Sequence, residues 1–533
     1  MTGGNDGPGG SFVLGVDFGT SSVRALIVHA GSGEEAASAE AGFPLWDSGR
    51  YQDPARSVFR QHPGELLESF SAAVSEASAR AGGEVRRRIA GITVDTTGST
   101  PCFVDRAGVP LASLPEFREE EDAMFILWKD HSASAEAEEI TEKARCFTGG
   151  NYLEYSGGLY SAEWYWAKLL HLCRTNPKLA EAAESLVEHC DWITGLLCGD
   201  TGPARIARSR CAAGHKALWN TAFGGYPPKE FFETLDPRLS RVRSGLPGET
   251  VTSDKAAGRL CPEWASRLGL PAGIVVGVGL FDAHAAALGA GIRRGTAVKV
   301  IGTSSSEMIV VAPEDLRGRA VSGIESQAEG SMIPGLLSLE AGQSAFGDIF
   351  AWFRGLLAFP LEGLLSRGLI SDGTLDESIE AIIPALSEAA SRRSPRDTGP
   401  VALDWFNGRR APFANHRVKA GVSGLGLDTD APEFFQALVY AAAFGTRAIH
   451  EHLRGEGVAV EKVVAVGGIP RKAPFVMQTL ADVLNVEVEA PEISHASARG
   501  AALLAAVAGG LYPDTETALA RCARALSRRP GRS

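Results

Sequence analysis

The chain of 533 residues carries 52 Lys+Arg against 64 Asp+Glu, a formal net charge of −12, with 44% hydrophobic and 22% charged residues. That balance supplies apolar surface for sizeable cores and excludes a disordered or fibrous protein, and the 62 glycines and 28 prolines stay below the ~25–30% share that marks low-complexity sequence. An acidic surface gives nucleic-acid phosphates no general attraction, and no basic run exceeds Arg86-Arg87-Arg88.

Residues 1–10 are Gly-rich, lack the basic start and apolar core of a signal peptide, and read as a loose tail. The 8 cysteines form no C-x-x-C pair, which argues against a zinc site or a disulfide framework and points to a reducing cytoplasm. The stretch 12–28 reads strand, Gly19-Thr20-Ser21 turn, strand, with β-branched flanks and a turn whose glycine and hydroxyls suit a chain reversal that can hold a phosphate. Asp17-Phe18-Gly19 spells the metal-binding triplet of protein kinases, but no catalytic loop can precede it this close to the start of the sequence.

A helix is expected over 63–81, then a strand over 89–94 running into Asp95-Thr96-Thr97-Gly98-Ser99-Thr100. From about 117 to 253 the chain is richer in Trp, Tyr and Cys and loses the strand rhythm, with helical spacing over 133–144 and 161–173; it reads as an insertion that shapes an acceptor site. A strand over 273–281 leads into Asp282-Ala283-His284. Pro271, Asp282 and His284 break the apolar stretch 270–292, so it is no membrane span. Gly277-Val278-Gly279 meets Asp282 where a dinucleotide fingerprint needs glycine, and the absence of any Gly-Lys dipeptide excludes a P-loop.

The stretch 298–311 repeats the design of 12–28 around Gly302-Thr303-Ser304, nearly half a chain length further on. Two equivalent hairpins suggest two related lobes with a nucleotide between them. Helices follow over 432–453 and Ala496–Ala508, and the strand opening at Val463 ends in Gly467-Gly468 ahead of an amphipathic stretch over 473–484, a place for a ligand at a strand end. His450-Glu451-His452 lacks the four-residue spacing of paired zinc ligands and reads as a solvated helix end.

Several segments together carry a resemblance: Val94-Asp95-Thr96-Thr97-Gly98-Ser99-Thr100-Pro101, Leu127-Trp128-Lys129-Asp130-His131, Ala213-Gly214-His215-Lys216, Cys261-Pro262-Glu263-Trp264 and Phe281-Asp282-Ala283-His284 in the first half. Lys299-Val300-Ile301-Gly302-Thr303, Leu339-Glu340 through Gly347-Asp348, and Leu403-Asp404-Trp405-Phe406-Asn407-Gly408-Arg409-Arg410 continue it in the second. Spanning nearly the whole chain in order, they resemble the FGGY family of carbohydrate kinases, and within it the members that phosphorylate L-ribulose in arabinose breakdown. After Thr303 the chain reads Ser304-Ser305-Ser306-Glu307 where enterobacterial relatives have Ser-Thr-Cys-Asp.

The resemblance implies an α/β fold of two actin-like lobes, as in sugar kinases and heat-shock ATPases, with an interlobe cleft that closes on its ligands. The lobes fall at 11–295 and 296–526, and a tail at 527–533. It implies ATP and Mg²⁺, with Asp17 placing the metal through water and Gly19, Thr20, Ser21, Gly302, Thr303 and Ser304 on the phosphates. Gly467 and Gly468 would take the adenosine. The ketopentose, L-ribulose, would meet Gly98, Lys216, Asp282 and Glu340, with Trp128 and Asp130 as further lining. Asp282 would accept the acceptor hydroxyl's proton, as phosphoryl transfer with its loose transition state requires alignment more than covalent help. Read alone, Asp282 fits a helix N-cap equally well, Lys216 a surface lysine and Asp17 a turn opener. D-ribulose, another ketopentose or a pentitol such as ribitol are alternative acceptors. A non-catalytic, sugar-responsive ATP-binding switch is an alternative of another class, which Asp282, Lys216 and Glu340 disfavour. No nucleic-acid or membrane partner is expected, and a homodimer is left open.

Overall fold

The computed structural model describes residues 10–394 and 399–527, with side chains to residue 521. The tails expected at 1–10 and 527–533 therefore lie outside the described residues, apart from Gly10 and Ser527. The chain divides into two compact units, Met1–Ile292 with Ser326–Ser338 and Ser494–Ser533, and Arg293–Glu325 with Leu339–Ile493.

In the first unit the expected hairpin forms, Phe12–Phe18 pairing antiparallel with Ser22–His29, and Glu35–Gly42 extends it. On the other side Ile89–Thr96 runs parallel to Phe12–Phe18, and Val275–Gly277 and Leu280–Phe281 run parallel to Ile89–Thr96. Leu14, Val16 and Phe18 share a sheet face by their two-residue period and pack with Leu66, Phe70, Ala73, Val74 and Ala77 of helix Pro63–Arg87. Burying a side chain such as Leu66 or Phe70 contributes roughly 1.5–3 kcal/mol. The helix outruns the expected 63–81 because the chain resumes helical geometry after a break at Gly82.

The opposite face is covered by helix Ala496–Ala508, which follows the second hairpin in sequence and packs within the first unit. Its Gly500 lies backbone to backbone against helix Asp282–Gly289: a Cβ there would stand 1.8 Å from the Ala285 carbonyl oxygen. Nothing larger than glycine fits, so the helix that starts at Asp282 has a rigid base. The Trp- and Tyr-rich stretch builds a separate core, in which Trp166 and Phe232 lie 3.9 Å apart between ring centroids.

The second unit repeats the hairpin plan. Thr296–Ile301 pairs antiparallel with Ser305–Val311 and parallel with Lys462–Gly467, which in turn pairs parallel with Glu487–Glu489. Among the described helices, Gly347–Ser366 alone is long and apolar enough to cross a membrane by length and composition, whereas the stretch 270–292 resolves into short strands and helix Asp282–Gly289. Gly347–Ser366 buries Ile349, Phe350, Phe353 and Ala358.

Candidate active site

Parallel strands of the first unit end at one edge, each bringing a carboxylate. Asp17 stands opposite Asp95 in the register, Leu280 stands opposite Asp95 from the other side, and Asp282 follows as the first residue of its helix. Such C-terminal strand edges are where α/β sheets bind ligands. Burial raises the Asp17 carboxyl above its ordinary pKa, and Arg24, 3.2 Å away and also paired with Glu40 at 3.0 Å, pulls it back. Asp95 is fully buried; its burial, then the charges of Asp17 and Asp282, push its carboxyl well above the usual range. Neither Asp95 oxygen has an N–H or hydroxyl donor among the described residues. Asp282 is half-buried at the first position of its helix and accepts the Ala283 amide at 2.6 Å, so its carboxylate already engages an N–H of the helix's first turn.

The two Gly-Thr-Ser turns are held by partners from other segments. In the first, Gly19 N–H donates to the Ser22 carbonyl at 2.9 Å, the Thr20 carbonyl accepts from Gln61 Nε2 at 2.8 Å, and the Thr20 hydroxyl accepts from the Trp128 indole at 3.1 Å. In the second, Gly302 N–H donates to the Ser304 carbonyl at 2.9 Å, while the Gly302 and Thr303 carbonyls accept the amides of Gly347 and Asp348 at the start of helix Gly347–Ser366. Helix N-terminal amides need such partners, and their capture fixes the turn. In both turns the leading glycine's own amide is spent inside the turn.

Gly98 lies against the residue before Asp282: a Cβ on it would stand 2.1 Å from Phe281 Cδ1. Its glycine identity thus answers to the Phe281 ring. Lys216 ends helix Arg210–Lys216, is buried rather than a surface lysine, and places Nζ 5.2 Å from the Trp164 ring centroid. Glu340 is buried on strand Leu337–Gln343 of the second unit.

Gly302, Gly468, Ile469, Tyr440 and Phe444 line a cavity of about 1760 Å³ within the second unit. Gly467 beside it adopts φ 117, and a Cβ would stand 2.3 Å from the Ile301 carbonyl oxygen, so the strand end admits only glycine. Beneath the second turn, Lys299 and Glu307, both fully buried, pair across the hairpin at 3.0 Å, and His450 Nε2 reaches Glu307 at 3.1 Å. Burial alone would raise the Glu307 carboxyl, but Lys299 and His450 outweigh it and hold it at about 2. His450 is therefore part of a buried ionic cluster, not of a solvated helix end. Gln343 completes it, its Oε1 accepting from Lys299 at 3.1 Å and from Thr446 at 2.8 Å.

Asp130 does not line a pocket: it is fully buried against Arg60 and the Ser132 hydroxyl. Asp95 belongs to the Val94–Pro101 motif, where the resemblance implies no role for it. The signal was present, because Val94-Asp95 ends its strand as Val16-Asp17 ends the neighbouring one. Gln61 carries no local signal; its reach to Thr20 depends on the fold.

The FGGY family of carbohydrate kinases matches this chain twice, its N-terminal domain over residues 12–289 and its C-terminal domain over 297–509. A ribulokinase of Vibrio parahaemolyticus is 43% identical over 95% of this chain and 90% of its own, and a ribulokinase of Halalkalibacterium halodurans is 35% identical over 94% and 86%. Among solved structures, a xylulose kinase from Rhodospirillum rubrum aligns with TM-score 0.74 at 22% identity, covering 95% of this chain and 92% of that one. Plasmodium falciparum glycerol kinase with ADP aligns with TM-score 0.72 at 16% identity, covering 96% and 92%. These likenesses establish the fold.

Proposed function

The chain belongs to the FGGY family of carbohydrate kinases, for which ATP is the phosphoryl donor, and on that premise we propose that it phosphorylates L-ribulose to L-ribulose 5-phosphate in arabinose catabolism. The relatives named ribulokinase, similar over nearly the whole chain, support the acceptor. The observation that carries the chemistry is the strand-edge cluster of Asp17, Asp95 and Asp282 beside the Gly19–Ser21 turn.

Asp282 orients the acceptor hydroxyl and takes its proton late in transfer, when the oxygen has begun to bond phosphorus. Its position at the head of a helix seated on Gly500 keeps that carboxylate in place. Gly98 offers backbone to the sugar, and Lys216 a charged donor; hydroxyls buried against such groups must be paired, which penalises deoxy analogues. Thr20 and Ser21 of the first turn, and Thr303 and Ser304 of the second, take phosphate oxygens, while Gly467, Gly468 and the adjoining cavity take the nucleoside. The neighbouring carboxyls of Asp95 and Asp17 would hold a hard divalent cation such as Mg²⁺, Asp17 through water. When bound, that ion neutralises charge on the phosphates.

ADP release measured over a panel of L-ribulose, D-ribulose, xylulose and ribitol tests the acceptor. L-Ribulose is expected to give the highest kcat/KM; preference for another member transfers the assignment to it, and no turnover with any of them removes the proposal. Asp282→Asn should keep ATP binding and lose turnover by ~10²–10⁴.

A further inference from the structure

The turn that presents Gly98 is gripped from two sides by buried ionisable groups that the chemistry does not use. Lys168, on helix Tyr165–Thr175 and 1% exposed, donates from Nζ to three carbonyls: Ser99 at 2.7 Å, Leu127 at 3.0 Å and Ile126 at 3.3 Å. Glu188, at the end of strand Ser185–Glu188 and 3% exposed, accepts the Thr100 amide at 2.9 Å and the Ser99 hydroxyl. Ser99 is thus held by its carbonyl from one side and its hydroxyl from the other.

The same lysine reaches further. Its Leu127 contact fixes the segment whose next residue, Trp128, donates to the Thr20 hydroxyl in the first phosphate turn at 3.1 Å. On the sugar side, Gly98 adjoins Ser99 and packs on Phe281, the neighbour of Asp282. One ammonium group therefore ties the acceptor turn to the donor turn.

We propose that Lys168 and Glu188 are positioning residues, setting the Gly98–Thr100 turn against Asp282 and the Gly19–Ser21 turn so that the sugar hydroxyl meets its base in register. The inference rests on the assignment of Gly98 and Asp282 to the sugar. Burial makes the arrangement costly: it lowers Lys168 to about 8, Asp130, Glu188 and Glu163 opposing the shift and Arg60 adding to it, and it raises Glu188 to about 7 against Ser99, Lys168 and the Thr100 amide, with Asp191 adding to the rise. An apolar pair would pack this region as well. What it could not do is hold three carbonyls, an amide and a hydroxyl in one geometry.

The test uses Glu188→Gln and Lys168→Met, with Lys168→Arg as the charge-keeping control, in the full chain. Glu188→Gln preserves shape and one acceptor oxygen, so it reports even if Lys168→Met fails to fold. For Glu188→Gln the KM for L-ribulose should rise about tenfold or more while the dissociation constant for ADP stays within about twofold of wild type. Lys168→Met, where folded, should weaken the sugar and, through the Leu127–Trp128–Thr20 contacts, the nucleotide as well, and Lys168→Arg should recover part of both losses. Unchanged kinetics in either variant, or equal losses for sugar and nucleotide in Glu188→Gln, overturn the positioning role. A wild-type protein inactive on every acceptor would instead overturn the sugar assignment, and this inference with it.

Discussion

Each unit of the molecule buries a lysine and a glutamate near a functional turn, and the two do so in opposite ways. In the second unit Lys299 and Glu307 meet directly at 3.0 Å, with His450 Nε2 also 3.1 Å from Glu307, and Glu307 is held at about 2. In the first, Ser99 stands between Lys168 and Glu188, and the two side chains take its carbonyl and its hydroxyl. Burial then dominates, with Glu188 raised to about 7 and Lys168 lowered to about 8. The direct pair satisfies itself and stiffens a hairpin. The separated pair leaves its charges only partly compensated and uses them on the backbone between. Scaffold and clamp are thus built from the same two residue types, and distance decides which.

The contrast breaks most sharply at Lys299. Lys299→Met leaves Glu307 buried with one cation fewer, and removal of one partner from a buried pair typically costs ~3–5 kcal/mol. Urea unfolding followed by fluorescence should show a loss of that size. A loss below ~1 kcal/mol would mean that the pair is not the scaffold of the hairpin.

The pH dependence of stability sharpens the same comparison, because the two glutamates act with opposite signs. Glu307 is lowered from 4.5 to about 2, so the unfolded chain takes the proton first; its contribution is present above pH ~4.5 and is lost as pH falls towards 2. Glu188 is raised from 4.5 to about 7, so the folded state keeps the proton longer and stability declines as pH rises from ~4.5 to 7. Each slope is bounded at about 1.4 kcal/mol per pH unit, one proton's worth. Melting temperatures across pH should therefore flatten below pH 4.5 in Glu307→Gln and between 4.5 and 7 in Glu188→Gln. Flattening of both variants in a single window would contradict the assignment.

Much of this was legible in the sequence, and the misses share a cause. The hairpins around Gly19 and Gly302 announce themselves by β-branched flanks and a glycine turn, and Asp282 by its place at a strand end. His450 departs from the solvated helix end its sequence suggests because its partner, Glu307, lies on a distant hairpin, and nothing local distinguishes a buried helical histidine from a solvated one. Lys168 looks like an ordinary helical lysine until the Ser99, Ile126 and Leu127 carbonyls converge on it. Periodicity reports which face of an element is buried, but polar partners from separate segments are set by tertiary packing.

The smallest expected effects separate glycines that serve the backbone from glycines that make room for a ligand. Gly467 has φ 117 with the Ile301 carbonyl oxygen 2.3 Å from any Cβ, so Gly467→Ala should destabilise by ~1–3 kcal/mol through backbone strain. Gly302 meets no atom within 4 Å at its Cβ position and lines the cavity. Gly302→Ala should therefore melt within a degree or two of wild type, a surface-like change within ~0.5 kcal/mol, while its methyl group obstructs the nucleotide and raises the KM for ATP several-fold. If Gly302→Ala binds ATP normally, the second turn does not approach the phosphates closely, and the nucleotide lies further along the cavity, towards Tyr440 and Phe444.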